Sequence, residues 1–148
     1  MKIVIANDHA GVELKKEVKA YMESLGHEVF NIGTDSEESC HYPEYGKKAA
    51  DMVVSGEAEL GVLICGTGVG ISLAANKVKG IRCGVCSEAT TARLIRQHNN
   101  ANMIALGARV VGPELAKDIV KTFLESEFEG GGRHQIRIDM ISEIENQQ

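Results

Sequence analysis

The residues best suited to chemistry in this chain are Cys65 and Thr67, which stand at the start of a glycine-rich loop. The residues before the loop, 60–65, form a continuous apolar run, the pattern of a strand buried on both faces of a parallel sheet. The loop, 66–70, has glycine at every second position and lets the backbone approach a ligand closely. Helical periodicity resumes at Ile71, so the loop lies at a helix N-terminus, which favours an anion.

The glycine loop is a weak signal when taken alone. Its spacing is G-x-G-x-G, with Ile71 where a dinucleotide fingerprint has its third glycine, and it lacks the G-K-[ST] ending of a P-loop. A tight strand-to-helix turn without chemistry is one alternative. A nucleotide-binding module that uses Glu88 as its ribose acid is another.

A second candidate group is the adjacent pair Asp8 and His9, which follows the first predicted strand and precedes a helix. An aspartate next to a histidine can transfer protons or bind an anion. An aspartate at that place is also a common helix N-cap. Both interpretations stay open from the sequence.

The C-terminal tail contains the third candidate group. Three glycines, 130–132, interrupt the chain before Arg133 and Arg137, which would project on one side of a helical turn and suit a phosphate. The alternative is two solvated arginines that balance nearby glutamates. A short helix is predicted after them, and its apolar side must pack on its own domain or on a second subunit.

Strands and helices alternate along the chain and position these groups. Strands are predicted over 2–6, 27–32, 60–65, 81–86 and 102–106. Pro43 and Pro113 open two of the helices, and Ser87 is expected to cap another. The alternation predicts an α/β fold, a doubly wound five-stranded parallel sheet of order 2-1-3-4-5 with a C-terminal helical tail. In that order Asp8, His9 and the glycine loop face one crevice, because the helices after strands one and three leave on opposite faces.

Composition limits the function classes. The 148 residues, 43% of them hydrophobic, suffice for one domain over 1–148, of which 130–148 form the glycine-led tail. The net charge of -5 and the absence of a Lys/Arg run argue against a nucleic-acid partner. No apolar segment has signal or membrane length, so we expect no membrane partner and a cytoplasmic location.

The four cysteines, at 40, 65, 83 and 86, are expected to be free thiols in a reducing compartment. Cys83 and Cys86 match a C-x-x-C pattern, but they lie in an apolar strand-like run. Side chains at i and i+3 of a strand point to opposite faces, which disfavours a redox pair.

Five motifs together resemble those of the B-type ribose-5-phosphate isomerases, and the likeness covers the whole chain. They are Asn7-Asp8-His9-Ala10-Gly11, Cys65-Gly66-Thr67-Gly68-Val69-Gly70, Arg96-Gln97-His98-Asn99, Leu106-Gly107-Ala108-Arg109, and Gly131-Gly132-Arg133-His134 with Arg137. The wider family includes allose-6-phosphate isomerases and the subunits of galactose-6-phosphate isomerase.

The resemblance implies an aldose-ketose isomerase that uses neither a cofactor nor a metal. It would interconvert ribose 5-phosphate and ribulose 5-phosphate through a cis-enediolate, in the non-oxidative branch of the pentose phosphate pathway. Allose 6-phosphate or galactose 6-phosphate isomerisation is the alternative within the family. A nucleotide- or sugar-phosphate-binding module without turnover is the alternative from another class.

The resemblance also implies residue roles. Members of this family use as base either a cysteine or a glutamate after the glycine loop. Gly70-Ile71-Ser72 contains no carboxylate, so Cys65 would be the base here. Thr67 with the loop amides would hold the enediolate oxygen. His98, aided by Asp8, would open the furanose ring. The remaining substrate and phosphate contacts would come from His9, Tyr42, Gly66, Gly68, Gly70, Asn99, Arg109, Arg133 and Arg137.

The predicted topology places two of these residues far from the others. His98 and Asn99 end a helix at the amino end of the sheet, whereas Cys65 lies at the carboxyl end. A parallel strand of five or six residues separates those ends by roughly 16 to 20 Å. We therefore expect His98 to come from a neighbouring subunit of a homodimer, with a dimer of dimers as a further option.

Overall fold

The computed structural model describes residues 1–148 as a five-stranded, all-parallel sheet with six α-helices. The strands are β1 (Lys2–Asn7), β2 (Glu28–Asn31), β3 (Leu60–Cys65), β4 (Cys83–Val85) and β5 (Met103–Gly107). The helices are α1 (Val12–Ser24), α2 (Tyr42–Val54), α3 (Val69–Asn76), α4 (Ala89–Asn99), α5 (Pro113–Glu125) and α6 (Gly132–Asn146), and a 3-10 turn (His9–Gly11) precedes α1. The predicted α/β class with a parallel sheet is confirmed.

The order of the strands is β2-β1-β3-β5-β4, so the predicted order of the last two strands was wrong. Every residue of β5 is buried, whereas the three residues of β4 are half-buried or exposed. A fully buried strand needs a neighbour on each side, and a short strand suits an edge. β5 therefore occupies the interior position beside β3.

The helices divide between the two faces of the sheet. One core cluster joins the sheet to α1, α4 and α5, and the other joins it to α2 and α3. Right-handed crossovers produce this division, because the chain moves one way from β3 to β4 and returns from β4 to β5. The corrected order thus places α4 on the face opposite α3.

Two helix starts differ from their predictions. Glu88, not Ser87, caps α4, and its carboxylate accepts a hydrogen bond of 2.9 Å from the Thr91 amide. Helix α6 starts earlier than expected and includes both tail arginines. Gly130 and Gly131 precede this helix and Gly132 is its first residue, and their φ values of 67°, 64° and 57° favour glycine. None of the six helices is long and apolar enough to cross a membrane.

The outer edge of β4 is closed by a side chain. The Asn76 carboxamide donates to the Cys83 carbonyl oxygen at 2.8 Å and accepts from the Cys83 amide at 2.8 Å. Cys83 and Cys86 pack into different core clusters, and burial raises the pKa of each thiol to about 12. The two thiols stay protonated and face apart, as the strand pattern predicted.

Candidate active site

The carboxyl ends of β1, β3 and β5 converge in one crevice. Asn7 is in register with Ile64, and Cys65 is in register with Gly107. We call the group at these strand ends the thiol cleft, which consists of Asp8, His9, Tyr42, Cys65 to Gly70, and Arg109. Strands one and three are neighbours whose following helices lie on opposite faces, so the predicted crevice is confirmed.

Cys65 lies at the base of the thiol cleft. The residue is 4% exposed, and its Sγ accepts a hydrogen bond of 3.2 Å from the Gly68 amide. Gly68 has a φ of 81°, and a Cβ there would lie 2.9 Å from the carbonyl carbon of Leu106. Only glycine fits this turn, and the turn aims an amide at sulfur, where it stabilises negative charge.

Thr67 and Gly70 form the other side of the loop. The Thr67 hydroxyl oxygen accepts from the Val69 amide at 3.2 Å, and the side chain is exposed toward solvent. Gly70 is the second residue of α3, so its amide has no partner within the helix. A Cβ on Gly70 would lie 2.6 Å from Cζ of Tyr42, which shows that the tyrosine ring lies directly against the loop.

Arg109 lies at the opposite rim of the thiol cleft. Its amide donates to the Gly66 carbonyl oxygen at 3.0 Å, and a Cβ on Gly66 would lie 3.2 Å from the guanidinium Nη1. The arginine is otherwise exposed. It therefore presents a positive charge beside the glycine loop, where an anionic substrate can reach it.

Asp8 is the N-cap of the 3-10 turn, so that part of the sequence interpretation is confirmed. One carboxylate oxygen accepts from the Ala10 amide at 3.0 Å, and the residue is 6% exposed. The neighbouring Asn7 side chain donates to the Asp8 carbonyl oxygen at 2.8 Å and to the Thr34 carbonyl oxygen at 3.0 Å. The cap holds one carboxylate oxygen, and the other is free to accept a hydrogen bond or a proton.

His9 is oriented by a residue that sequence reasoning missed. The Cys40 amide donates to Nδ1 of His9 at 3.2 Å. Because Nδ1 accepts, Nε2 carries the proton of the neutral ring and becomes a donor for an anion. No periodicity or motif marks Cys40, which comes from the loop after β2.

Lys15 holds that loop against the first helix. The residue is 1% exposed, and its Nζ donates to the Thr34 carbonyl oxygen at 2.7 Å and to the Asp35 carboxylate. A lysine buried to this degree must be paired. The side-chain hydrogen bond from Lys15 is the largest of the effects that lower the pKa of Asp35.

A second group of predicted residues lies where α4 ends and α6 begins. The rings of His98 and His134 are parallel within 8°, with centroids 4.2 Å apart, and we call them the histidine pair. Glu129 approaches His134 with 3.7 Å between Oε2 and Nε2. One ligand atom from each of the three residues lies within 4.8 Å of the others, a spacing that could accept a metal ion. Two exposed arginines, Arg133 and Arg137, add positive charge nearby, which opposes a cation.

The structure does not bring the two groups together within one chain. His98 and Asn99 precede β5, whereas Cys65 is in register with its last residue. The strand from Met103 to Gly107 alone advances about 13 Å. Arg133 and Arg137 belong to the histidine end, because both contribute to lowering the pKa of His134.

One further cavity, of about 620 Å³, lies beside the edge of the sheet. It is lined by parts of α3, β4, α4 and α6, and Asn99 is its only predicted site residue. The thiol cleft lies at the other end of the strands.

Fold and site together define an α/β enzyme for a small anionic substrate, with a thiol at the switch point of the sheet. A family model described as Ribose/Galactose Isomerase matches residues 3–141. The chain belongs to this family of aldose-ketose isomerases, and the resemblance found in its motifs is confirmed.

Individual relatives agree with this assignment. Ribose-5-phosphate isomerase B of Escherichia coli is 52% identical over 97% of this chain and 96% of its own. A galactose-6-phosphate isomerase subunit of Clostridium acetobutylicum is 45% identical over 97% of this chain and 83% of its own. The structure of Clostridium thermocellum ribose-5-phosphate isomerase B superposes with a TM-score of 0.97 at 52% identity, covering 99% of both chains.

Proposed function

We propose that this protein interconverts D-ribose 5-phosphate and D-ribulose 5-phosphate with Cys65 as the base, as one step of the non-oxidative pentose phosphate pathway. The observation that carries the proposal is the buried Cys65 sulfur, which accepts the Gly68 amide at the carboxyl end of the sheet. The relatives named ribose-5-phosphate isomerase B support the choice of substrate. The reaction needs no cofactor, because a base and an oxyanion site suffice to move a proton α to a carbonyl.

The reaction begins with the furanose ring. His98 donates a proton to the ring oxygen as the bond from that oxygen to C1 breaks, and Asp8 accepts the proton of the C1 hydroxyl. The product is the open-chain aldose with its aldehyde at C1. The free oxygen of the Asp8 carboxylate supports this role, because the other oxygen is held by the Ala10 amide.

Enolisation follows at Cys65. The thiolate takes the C2 proton, the electrons of that bond form the C1-C2 double bond, and the aldehyde oxygen becomes the enediolate oxyanion. The Gly70 amide and the Thr67 hydroxyl stabilise this charge, while the Gly68 amide, engaged by sulfur, stabilises the thiolate. Return of the proton to C1, with transfer of a hydroxyl proton from O2 to O1, gives the ketose.

The phosphate is held by hydrogen-bond donors from both groups. His9 offers its Nε2 proton and Arg109 its guanidinium at the thiol cleft, and Arg133 and Arg137 extend from the first turns of α6. Tyr42 against the loop and Asn99 contact sugar hydroxyls. One chain would act as a single domain over 1–148, whose tail, 130–148, supplies the two helical arginines.

A complete site therefore needs two chains. We propose a homodimer in which His98, Asn99, Arg133 and Arg137 of one subunit face the thiol cleft of the other. The separation of the two groups along β5 supports this arrangement. The four free cysteines are compatible with the reducing cytoplasm as its location.

A six-carbon substrate is the second candidate, because one relative is a galactose-6-phosphate isomerase subunit. A nucleotide-binding function finds less support, since Glu88, its proposed ribose acid, is used to cap α4. Activity measured with ribose 5-phosphate, allose 6-phosphate and galactose 6-phosphate, without added metal or nucleotide, distinguishes these possibilities. The five-carbon sugar is expected to have the highest kcat/KM.

Replacement of Cys65 tests the mechanism directly. The Cys65→Ala protein is expected to fold, bind ribose 5-phosphate and lose isomerisation by about 10² to 10⁴ in rate, together with exchange of the C2 proton into heavy water. Cys83→Ala removes a protonated thiol far from the glycine loop and serves as the control. Retention of a tenth or more of the activity by Cys65→Ala would assign the base to another residue.

A further inference from the structure

The His98 ring is held in place by a contact between the end of α4 and the start of α6. His134 is 14% exposed in its side chain, and its ring lies parallel to that of His98 at a centroid separation of 4.2 Å. Three successive glycines with positive φ values turn the chain so that this contact forms. The stack fixes the plane of the His98 ring.

Glu129 is anchored to the same place. Its amide donates to the Gln97 carbonyl oxygen at 3.1 Å, one residue before His98. Its carboxylate lies 3.7 Å from Nε2 of His134, and one oxygen lies within 4.8 Å of a ring nitrogen of His98. At 3.7 Å the carboxylate acts on the ring by its charge, directly or through a bridging water.

The charged groups around the stack act on the protonation of His134. The groups that face His134 are His98 from α4, Glu129 from the linker, and Arg133 and Arg137 from α6 itself. Burial, then His98, then the arginines lower the pKa of His134, and Glu129 opposes them. Two stacked imidazolium rings would repel each other, so a proton on one ring of the histidine pair disfavours a proton on the other.

We infer that Glu129 and His134 are positioning residues for ring opening: His134 holds the plane of the His98 ring by stacking on it, and the Glu129 carboxylate beside the stack favours a proton on the histidine pair by its negative charge. Neither residue needs to touch the substrate. The inference rests on the proposed function, because it assigns His98 the donation of a proton to the ring oxygen. It extends that function to a carboxylate outside every motif that marked the site.

Ring opening and enolisation can be measured separately with the two substrates. Ribose 5-phosphate closes its ring through the C4 hydroxyl, so its turnover needs both steps. Ribulose 5-phosphate cannot close a five-membered ring on its C2 carbonyl, because its C5 oxygen carries the phosphate. Exchange of its C1 proton into heavy water therefore needs the thiol cleft but not a proton donor for the ring.

The experiment compares these two rates in Glu129→Gln, His134→Ala and His134→Phe, with Glu127→Gln as a control exposed carboxylate. Glu129→Gln and His134→Ala are expected to slow turnover of ribose 5-phosphate roughly tenfold while C1 exchange of ribulose 5-phosphate stays within about twofold of wild type. His134→Phe keeps a stacking ring and should recover most of the His134→Ala loss. Glu127→Gln should match wild type in both assays.

The pH profile gives a readout that a purely structural role would not change. Loss of the Glu129 charge makes a proton on the histidine pair less favourable, so the alkaline limb of the ribose 5-phosphate profile moves to lower pH in Glu129→Gln. Equal losses in both assays, no loss in either, or an unshifted limb would each overturn the inference. A wild-type protein inactive in both assays would instead refute the proposed function.

Discussion

The thiol cleft and the histidine pair are built by different means. The thiol cleft stands on the ends of three buried strands, and Cys65 is 4% exposed beneath a turn that requires glycine at position 68. The histidine pair stands on the last turn of α4 and the first turn of α6, and a glycine linker leads from α5 into α6. In the proposed mechanism, the base that needs a dry pocket is placed in the sheet, and the groups proposed to reach a second subunit are placed at helix ends.

Mixing two inactive proteins gives the strongest test of this division. Cys65→Ala and His98→Asn are each expected to lack activity as pure dimers. After subunit exchange, half of the dimers are mixed by random pairing and each has one intact site, so activity should rise to about a quarter of wild type.

Two controls accompany the mixing experiment. Each variant incubated alone under the same conditions should stay inactive, and exchange itself is verified by mass spectrometry with one partner isotope-labelled. Activity that stays at the level of the single variants despite verified exchange would show that one chain contains the entire site, or that His98 takes no part.

The tail arginines test whether the histidine end holds the phosphate. Arg133→Ala and Arg137→Ala each remove a charge-assisted hydrogen bond of roughly 1.5 to 3 kcal/mol, which corresponds to a roughly 10- to 150-fold loss in kcat/KM for ribose 5-phosphate. Turnover of unphosphorylated ribose should hardly change. Arg93→Ala, on the exposed side of α4, is the matched control. Equal losses for both sugars would show that the arginines support folding or assembly.

Alkylation contrasts the thiol cleft with the other cysteines. Iodoacetamide followed by peptide mass spectrometry should modify Cys65 in the free enzyme, and ribose 5-phosphate should slow that modification. Cys83 and Cys86 should stay unmodified at neutral pH, because burial raises the pKa of each to about 12. Modification of Cys86 before Cys65 would contradict the assignment of the reactive thiol.

The smallest effect is expected from the support behind the thiol cleft. Lys15→Met removes hydrogen bonds to the Thr34 carbonyl and to Asp35, and we expect it to lower the free energy of unfolding by about 1 kcal/mol at pH 7. Lys16→Met, which breaks only an exposed ion pair with Glu13, should change it by less than about 0.5 kcal/mol. Denaturant titration measures both, and equal values would show that Lys15 does not brace the loop.

The same variant has a pH signature with a definite sign. Hydrogen bonding by Lys15 lowers the folded-state pKa of Asp35 below its ordinary value of 3.8. The stabilisation that Asp35 gains from Lys15 is therefore present above pH 3.8 and is lost as the pH falls through the lower, folded-state pKa of Asp35. The difference in stability between wild type and Lys15→Met should shrink as the pH falls below the ordinary Asp35 pKa of 3.8. A difference that stays constant as the pH falls would show that the Lys15 hydrogen bond to Asp35 does not contribute to stability.

The sequence allowed prediction of the thiol cleft because its signals are local. The run from Leu60 to Cys65 has the bounds of β3, since a strand buried on both faces leaves an uninterrupted apolar pattern. The order of β4 and β5 was missed, because alternation alone does not rank parallel strands. In the structure the difference appears as burial: β4 has three residues that are half-buried or exposed, whereas β5 has five buried residues.

The histidine end was harder to predict, because its contacts join distant segments. His134 belonged to a recognised motif, but nothing in its spacing indicated a stack on His98. Glu129 lies in a polar stretch before the glycines, where a carboxylate has no distinguishing pattern. Such pairings depend on how the positive φ values of the linker direct α6, and a sequence pattern does not specify that direction.

The carboxamide of Asn76 has a consequence for how copies of this protein can associate. It occupies both the amide and the carbonyl of Cys83, the first residue of β4, which would otherwise be open to an incoming chain. An edge strand with free groups is a template on which sheets of separate molecules join and aggregate. Because β4 is only three residues long and Asn76 covers the first of them, this edge offers little to a strand of another copy, which favours association through helices and loops instead.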